Sequence, residues 1–149
     1  MSNDRQKDER RHWLAVLARA PRERLAAALQ GRGEGIRVLR AAETGLVMLR
    51  GRAGGTGERF NMGEMTVSRC TVADEAGRLG IGMVAGRDRA KAELVARLDL
   101  LMQDPEEAPI LARELIAPLS LEQAGEQAAR AARAAATRVE FFTMVRGDV

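Results

Sequence analysis

The chain is poor in the residues that carry most side-chain chemistry and most deep packing. Its 149 residues include no tyrosine, one tryptophan, three phenylalanines, one cysteine and one histidine. The single cysteine, Cys70, excludes an internal disulfide. Cys70 and His12 together cannot build a Cys/His metal cluster, and they leave no ordinary histidine-based triad. That inventory removes most enzyme mechanisms for the chain acting alone, and no bound metal or cofactor is expected. Scarce aromatics also remove the stacking platforms that hold single-stranded nucleic acid. The net charge of +3 is not gathered on one face: Arg10-Arg11 follows Asp8-Glu9, and Arg87 and Arg89 flank Asp88. A nucleic-acid role is therefore not expected. No apolar run is long enough for a membrane span, and no secretory signal is visible, so the expected setting is cytoplasmic, away from membranes.

What is present suits one globular domain over residues 1–149, able to bury about two-thirds of its unfolded surface. The interior has to come from Ala, Leu, Val and Met, which contribute less per side chain than aromatics. A core of that kind is often completed by a partner.

The periodicity predicts an α+β fold, an antiparallel four-stranded meander packed with N-terminal helices, a central helix and a long C-terminal helix. Residues 1–10 are expected to be partly disordered, with a helix from Asp4 that turns Trp13, Val16 and Leu17 to one face. Pro21 opens a second helix that carries Leu25, Ala28 and Leu29 inward. Gly31-Arg32-Gly33-Glu34-Gly35 follows a helix and precedes a strand, the reverse of a dinucleotide fingerprint, and reads as a cap and linker. The four strands are expected over 36–42, 46–52, 65–73 and 79–85, with Glu43-Thr44-Gly45 as the first turn. On the fourth, Leu79, Ile81 and Met83 share one face, while Gly80 and Gly82 on the other leave room for a helix or a ligand. Asp88 caps the central helix, which runs to Gln103 with a Glu93–Arg97 pair. Ser120 and Gln123 form a capping box for the last helix, whose inward stripe is Leu121, Gly125, Ala128, Ala132, Ala135, Val139 and Phe142.

The stretch between the second and third strands is the most suggestive in the chain. Gly54-Gly55-Thr56-Gly57-Glu58-Arg59 combines backbone donors, a hydroxyl and a guanidinium, the parts of a phosphate cradle. It is not a Walker loop, because the Lys-Ser/Thr pair is absent. The plainer reading is a loop that turns a corner or fits a neighbouring subunit. Gly86-Arg87-Asp88-Arg89, at the start of the central helix, could also receive an anion, with Arg87 as the candidate side chain, although Asp88 already caps that end. Glu43 and Glu58 beside glycine-rich turns could act as a base or hold Mg²⁺, but surface glutamates in turns are common. The end of the chain, residues 119–149, reads as a helix and a docking tail. Phe141, Phe142, Met144 and Val145 give it apolar groups on more than one face, as at a partner interface.

Five blocks together resemble a known family. They are Arg40-Ala41-Ala42-Glu43-Thr44-Gly45-Leu46-Val47, Gly54-Gly55-Thr56-Gly57-Glu58-Arg59-Phe60, Gly86-Arg87-Asp88, Ile116-Ala117-Pro118-Leu119 and the ending from Arg138 to Asp148. In that order they are similar to PhnG, the G subunit of the bacterial carbon–phosphorus lyase core complex. One departure is Lys91, where members of the family often carry a histidine. The resemblance implies a cytosolic subunit in an assembly with paired G, H, I and J subunits and associated ATP-binding subunits. It implies that the assembly moves the triphosphoribosyl group of MgATP, its substrate, onto methylphosphonate and releases adenine. No catalytic residue is carried over to this chain by it.

Overall fold

Alternating apolar residues on both sides of a glycine-rich break are what a β-hairpin needs, and the chain is built on one unusually long hairpin. The structure is a computed structural model that describes residues 2–137. Strands β1 (Arg37–Arg52) and β2 (Arg59–Ala73) pair antiparallel over their full length, and a shorter β3 (Leu79–Ala85) pairs with the second half of β2, Val67–Ala73. The sheet order is β1-β2-β3.

The α+β class holds, with three strands where the periodicity predicts four. Glu43-Thr44-Gly45 is no turn: it lies inside β1, opposite Arg69, Ser68 and Val67. The pairing register shifts just before it, between Arg40 and Glu43. A bulge takes up the extra residues that the pattern suggested as a corner. Side-chain bonds across the ladder, Arg69 to Glu43 at 2.7 Å and Thr44 to Ser68 at 3.2 Å, hold the strand straight through it.

Helices α1 (Ser2–Arg19) and α3 (Arg89–Leu101) pack on the sheet's closed end, where β3 joins the β1–β2 pair, and α2 (Arg22–Leu29) packs against α3. The core gathers Leu17, Leu25, Val72, Val84, Leu98, Leu100, Leu111 and Leu119, all essentially inaccessible. Gly80 and Gly82 set how closely α3 approaches. A methyl group on Gly80 would strike the carbonyl of Ala96, and one on Gly82 the carbonyl of Ala92. The room beside those glycines is therefore filled by a helix. The opposite face of β3, with Leu79, Ile81 and Met83, stays open.

One buried carboxylate ties three elements together. Asp99 on α3 accepts from Arg10 Nε at 3.1 Å, Arg10 Nη2 at 2.6 Å and Trp13 Nε1 at 2.9 Å, all on α1. It also accepts from the backbone N–H of Ile81 at 2.9 Å, a donor on the outer edge of β3. Arg10 and Gln103 donate to the Leu79 carbonyl on that same edge. A buried charge is tolerated only when it is paired and its oxygens are saturated, and Asp99 meets both conditions.

The C-terminal segments differ from the pattern's expectation. Helix α4 (Glu107–Leu111), a π-helical turn (Ala112–Ile116) and α5 (Ala117–Ala136) run on without a break. Pro118 lacks an N–H and would crowd the carbonyl four residues back, and the widened turn just before it relieves both problems. Ser120 is consequently inside a helix instead of capping one, and Gln123 reaches across to the Val16 carbonyl at 2.9 Å. The predicted inward stripe is not inward: Leu121 is 77% exposed, and Gly125, Ala128, Ala132 and Ala135 all face solvent. Beyond Gln123, α5 leaves the body of the chain. Val139 and Phe142 lie outside the described residues.

Candidate functional site

The long hairpin separates the residues that sequence reasoning grouped as anion binders. Gly54, Gly55, Thr56, Gly57 and Arg59 sit at its tip, whereas Arg87 sits at its root. Thr66, opposite Leu46, accepts from Gly86 N at 2.8 Å, and six further residues carry β1 to Arg52. At the rise of an extended strand, that is about 20 Å. The two groups do not form one site.

At the tip, the glycines are accounted for by the turn itself. Residues Ala53–Gly55 make a 3-10 turn in which Gly54 and Gly55 have φ of 59° and 82°. Gly57 N donates to the Ala53 carbonyl at 2.9 Å, and a Cβ on Gly57 would stand 2.7 Å from that oxygen. Only glycine closes the turn there. Arg52 Nη1 donates to the Gly57 carbonyl at 3.1 Å, and Arg59, opposite Arg52, points its exposed guanidinium into solvent.

At the root, segments far apart in sequence meet in a shallow cleft of about 570 Å³, lined by Thr44, Gly45, Leu46, Thr66, Arg87 and Arg89. Gly86 turns with φ of 88° between β3 and α3, and its carbonyl accepts from Ser68 Oγ at 2.9 Å. Ser68 has one proton and spends it there, so it accepts from Thr44 Oγ1. Thr44 in turn accepts from Arg89 Nε at 3.2 Å. Asp88 caps α3 by accepting from Lys91 N at 2.9 Å, with Arg22 at 3.7 Å. This relay fixes Arg89 beside the cleft. Among the described residues Arg87 forms no salt bridge. Two guanidiniums at the rim suit a phosphate or carboxylate. The Thr44 and Ser68 hydroxyl protons are committed to structural acceptors, so neither is an activated nucleophile.

Of the remaining candidates, Glu43 and Cys70 are held in structural roles, whereas Glu58 and His12 are exposed. Glu43 takes a hydrogen bond from Arg69 at 2.7 Å and lies 2.9 Å from Arg40. The Arg69 bond, aided by the charge of Arg40 against slight burial, holds its carboxyl below the usual range. A carboxylate so stabilised is a weak base. Cys70 is buried, donates to the Arg40 carbonyl at 3.3 Å, and burial pushes its thiol up, away from reactivity. Among the described residues, no three His, Cys, Asp or Glu side chains group as metal ligands. His12 is exposed and lines an apolar groove of about 1140 Å³ that also includes Trp13, Met102, Pro109 and Ile116. Phe141, Phe142, Met144 and Val145 lie outside the described residues.

Comparison with known proteins decides the family. The model of the family described as "Phosphonate metabolism protein PhnG" matches residues 8–147. The chain belongs to the PhnG family. It is 41% identical over 152 aligned residues to a Rhizobium meliloti (strain 1021) protein named "Alpha-D-ribose 1-methylphosphonate 5-triphosphate synthase subunit PhnG". The alignment spans 99% of this chain and 95% of that relative. Two of the PhnG-like blocks, Arg40–Val47 and Gly86–Asp88, meet at the root cleft, while the Gly54–Phe60 block caps the tip. The Ile116–Leu119 block is the junction of the π-helical turn with α5, and the Arg138–Asp148 block lies outside the described residues. Of the residues that build the cleft, Arg89 belongs to the helix-start segment read as an anion candidate, whereas Thr44 on its wall and the buried Ser68 bonded to it were not picked out. The signal available for Thr44 was its block's share in the PhnG resemblance; Ser68 had none. No described helix is long and apolar enough to cross a membrane.

Proposed function

We propose that this chain is the G subunit of a cytoplasmic alpha-D-ribose 1-methylphosphonate 5-triphosphate synthase. In that enzyme the triphosphoribosyl group of MgATP is transferred to methylphosphonate and adenine is released. The observation that carries the reading is the end-to-end match to a relative named as that subunit. The chain acts as an accessory within an assembly of G, H, I and J subunits with associated ATP-binding subunits. It contributes surface and positioning, because at the root cleft the Thr44 and Ser68 hydroxyls and the nearby Glu43 carboxylate are tied into structural bonds. No cofactor is bound by the chain alone; MgATP is the substrate of the assembled enzyme. Reconstitution tests this. Adenine release from MgATP and methylphosphonate should require the chain, and the purified chain alone should release none. An assembly that turns over equally well without it would overturn the proposal.

A second reading gives the chain a direct hand in holding the substrate's phosphates, and the root cleft favours it. Arg87→Ala in the assembled enzyme should then raise KM for MgATP about ten-fold, the loss of one charge-assisted contact of roughly 1.5 kcal/mol. An unchanged KM in an intact assembly returns Arg87 to the solvated surface. The same test on Arg59→Ala asks whether the tip reaches the site.

A further inference from the structure

We infer that the outer edge of β1 accepts a strand from a different polypeptide, an extended apolar segment flanked by acidic residues. This inference rests on the reading of the chain as a subunit of an assembly. In the sheet order β1-β2-β3, β1 is an edge strand sixteen residues long, and the alternate backbone N–H and C=O groups that point away from β2 face no further strand. Edges of that length are normally blunted, because unpaired N–H and C=O groups recruit another chain. Where β3 forms the other edge, the chain blunts it in just this way. On β3, Arg10 and Gln103 occupy the Leu79 carbonyl and Asp99 occupies the Ile81 N–H. No comparable block covers β1 among the described residues.

Side chains on β1 point to the same conclusion. Leu39, Leu46, Met48 and Leu49 are 42–62% exposed on a strand whose apolar pattern would ordinarily be half buried. A ribbon of two strands is marginal in water without a third strand or a covering helix. Charge then selects the occupant. Arg37, Arg40, Arg50 and Arg52 lie along β1 with one acid, Glu43, already paired to Arg40 and Arg69. A second copy of this chain paired antiparallel about the middle of β1 would set Arg37 against Arg52, a repulsive cross-strand pair. An acidic strand from another chain meets no such opposition. Backbone pairing would supply most of the affinity, and the alternate apolar positions and arginines would supply selectivity.

Hydrogen exchange on the full chain, free and co-purified with its companion subunits, tests the inference. Outward-facing amides between 37 and 52 should exchange at least ten-fold more slowly in the assembly. Leu39→Lys with Met48→Lys should weaken assembly at least ten-fold, and so should Arg50→Glu with Arg52→Glu. The charge-reversed pair lies on exposed positions and keeps the test valid if the lysine pair misfolds. Equal exchange of β1 in the free and assembled chain would overturn strand addition while leaving the subunit role intact. Charge reversal that leaves assembly at wild-type strength would overturn the acidic partner. Protection of β1 in a homodimer of the free chain would overturn it in favour of self-pairing. A wild-type chain that binds no companion subunit overturns both this inference and the reading beneath it.

Discussion

The two ends of the β1–β2 hairpin are made of similar material and live in different surroundings. At the closed end, Val67, Ser68, Cys70 and Val72 are buried beneath α3 and beside β3. At the open end, Phe60 and Met62 on the same strand are 47% and 64% exposed, with no described element over them. Strand propensity and apolar alternation are alike in both halves. The difference is only what else in the chain reaches them. A domain that leaves apolar strand surface bare has solved half of its packing problem, and an assembly subunit is where the other half is solved elsewhere.

The sharpest way to break the comparison is to remove what fastens the closed end. Asp99→Ala would leave the Arg10 guanidinium, the Trp13 N–H and the Ile81 N–H without their acceptor. Losing one partner of such a buried pair costs roughly 3 kcal/mol or more. A thermal melt of the free chain should shift down by about 10 °C. A shift under about 2 °C would show that water replaces the carboxylate and that α1 is not fastened there. Next in size is Gly82→Ala, which drives a methyl group against the α3 backbone at Ala92 and Ala96. Overpacking of this kind costs about 1–3 kcal/mol. Gly45→Ala, one strand away with open space around it, should cost much less. Chemical denaturation of both variants decides whether α3 is truly pressed onto β3.

Acid should loosen the closed end by a smaller step. Arg78 grips Asp74 at 2.6 Å and Asp104 at 3.0 Å, and so joins the β2–β3 turn to the end of α3. Burial works against Asp74, but the side-chain and backbone bonds from Arg78 outweigh it and lower its pKa. For Asp104 the backbone N–H of Glu106 comes first and Arg78 second, again lowering the pKa. Both carboxylates are more acidic folded than unfolded. Their stabilisation is full above the ordinary carboxylate pKa of about 4 and is lost as pH falls through their lower folded values. Arg78→Met should flatten that acid limb of a stability–pH curve; an unchanged limb would assign it to other carboxylates. The smallest effect belongs to the open end. Met48→Ala in the free chain should change stability by no more than about 0.5 kcal/mol, as at other exposed positions. A loss near 2 kcal/mol would mean that the arm is covered in the free chain too.

Local rules were legible wherever the answer depended on near neighbours. Asp88 caps α3 as its side chain dictates, Glu93 and Arg97 pair at 2.8 Å, and Trp13, Val16 and Leu17 turn to the core. Even the small face of β3 was readable, because two glycines alternating with large residues ask for something close on one side only. The errors came where two local readings were both sound. Glu43-Thr44-Gly45 has turn composition, but cross-strand bonds to Arg69 and Ser68 hold it in a strand. Ser120 and Gln123 have capping-box spacing, but a helix already arrives from Leu111, and Pro118 is accommodated by a π-helical turn instead of a break.

From the sequence alone came the α+β class, the Asp88 cap, the shortage of catalytic groups and, through five separated blocks, the PhnG resemblance. Each depends on residue identity or on spacing within a few turns or strands. Only the tertiary structure decided that Asp99 is the buried tie among α1, β3 and α3, since its partners lie up to 89 positions away. Only it set Thr44, Ser68 and Arg89 side by side while carrying the glycine-rich tip far from Arg87. Periodicity reports that a face is apolar, and it is indifferent to what covers that face. Coverage depends on which distant segments the chain can bring over it, and along the arm and along α5 beyond Gln123 the described residues bring none.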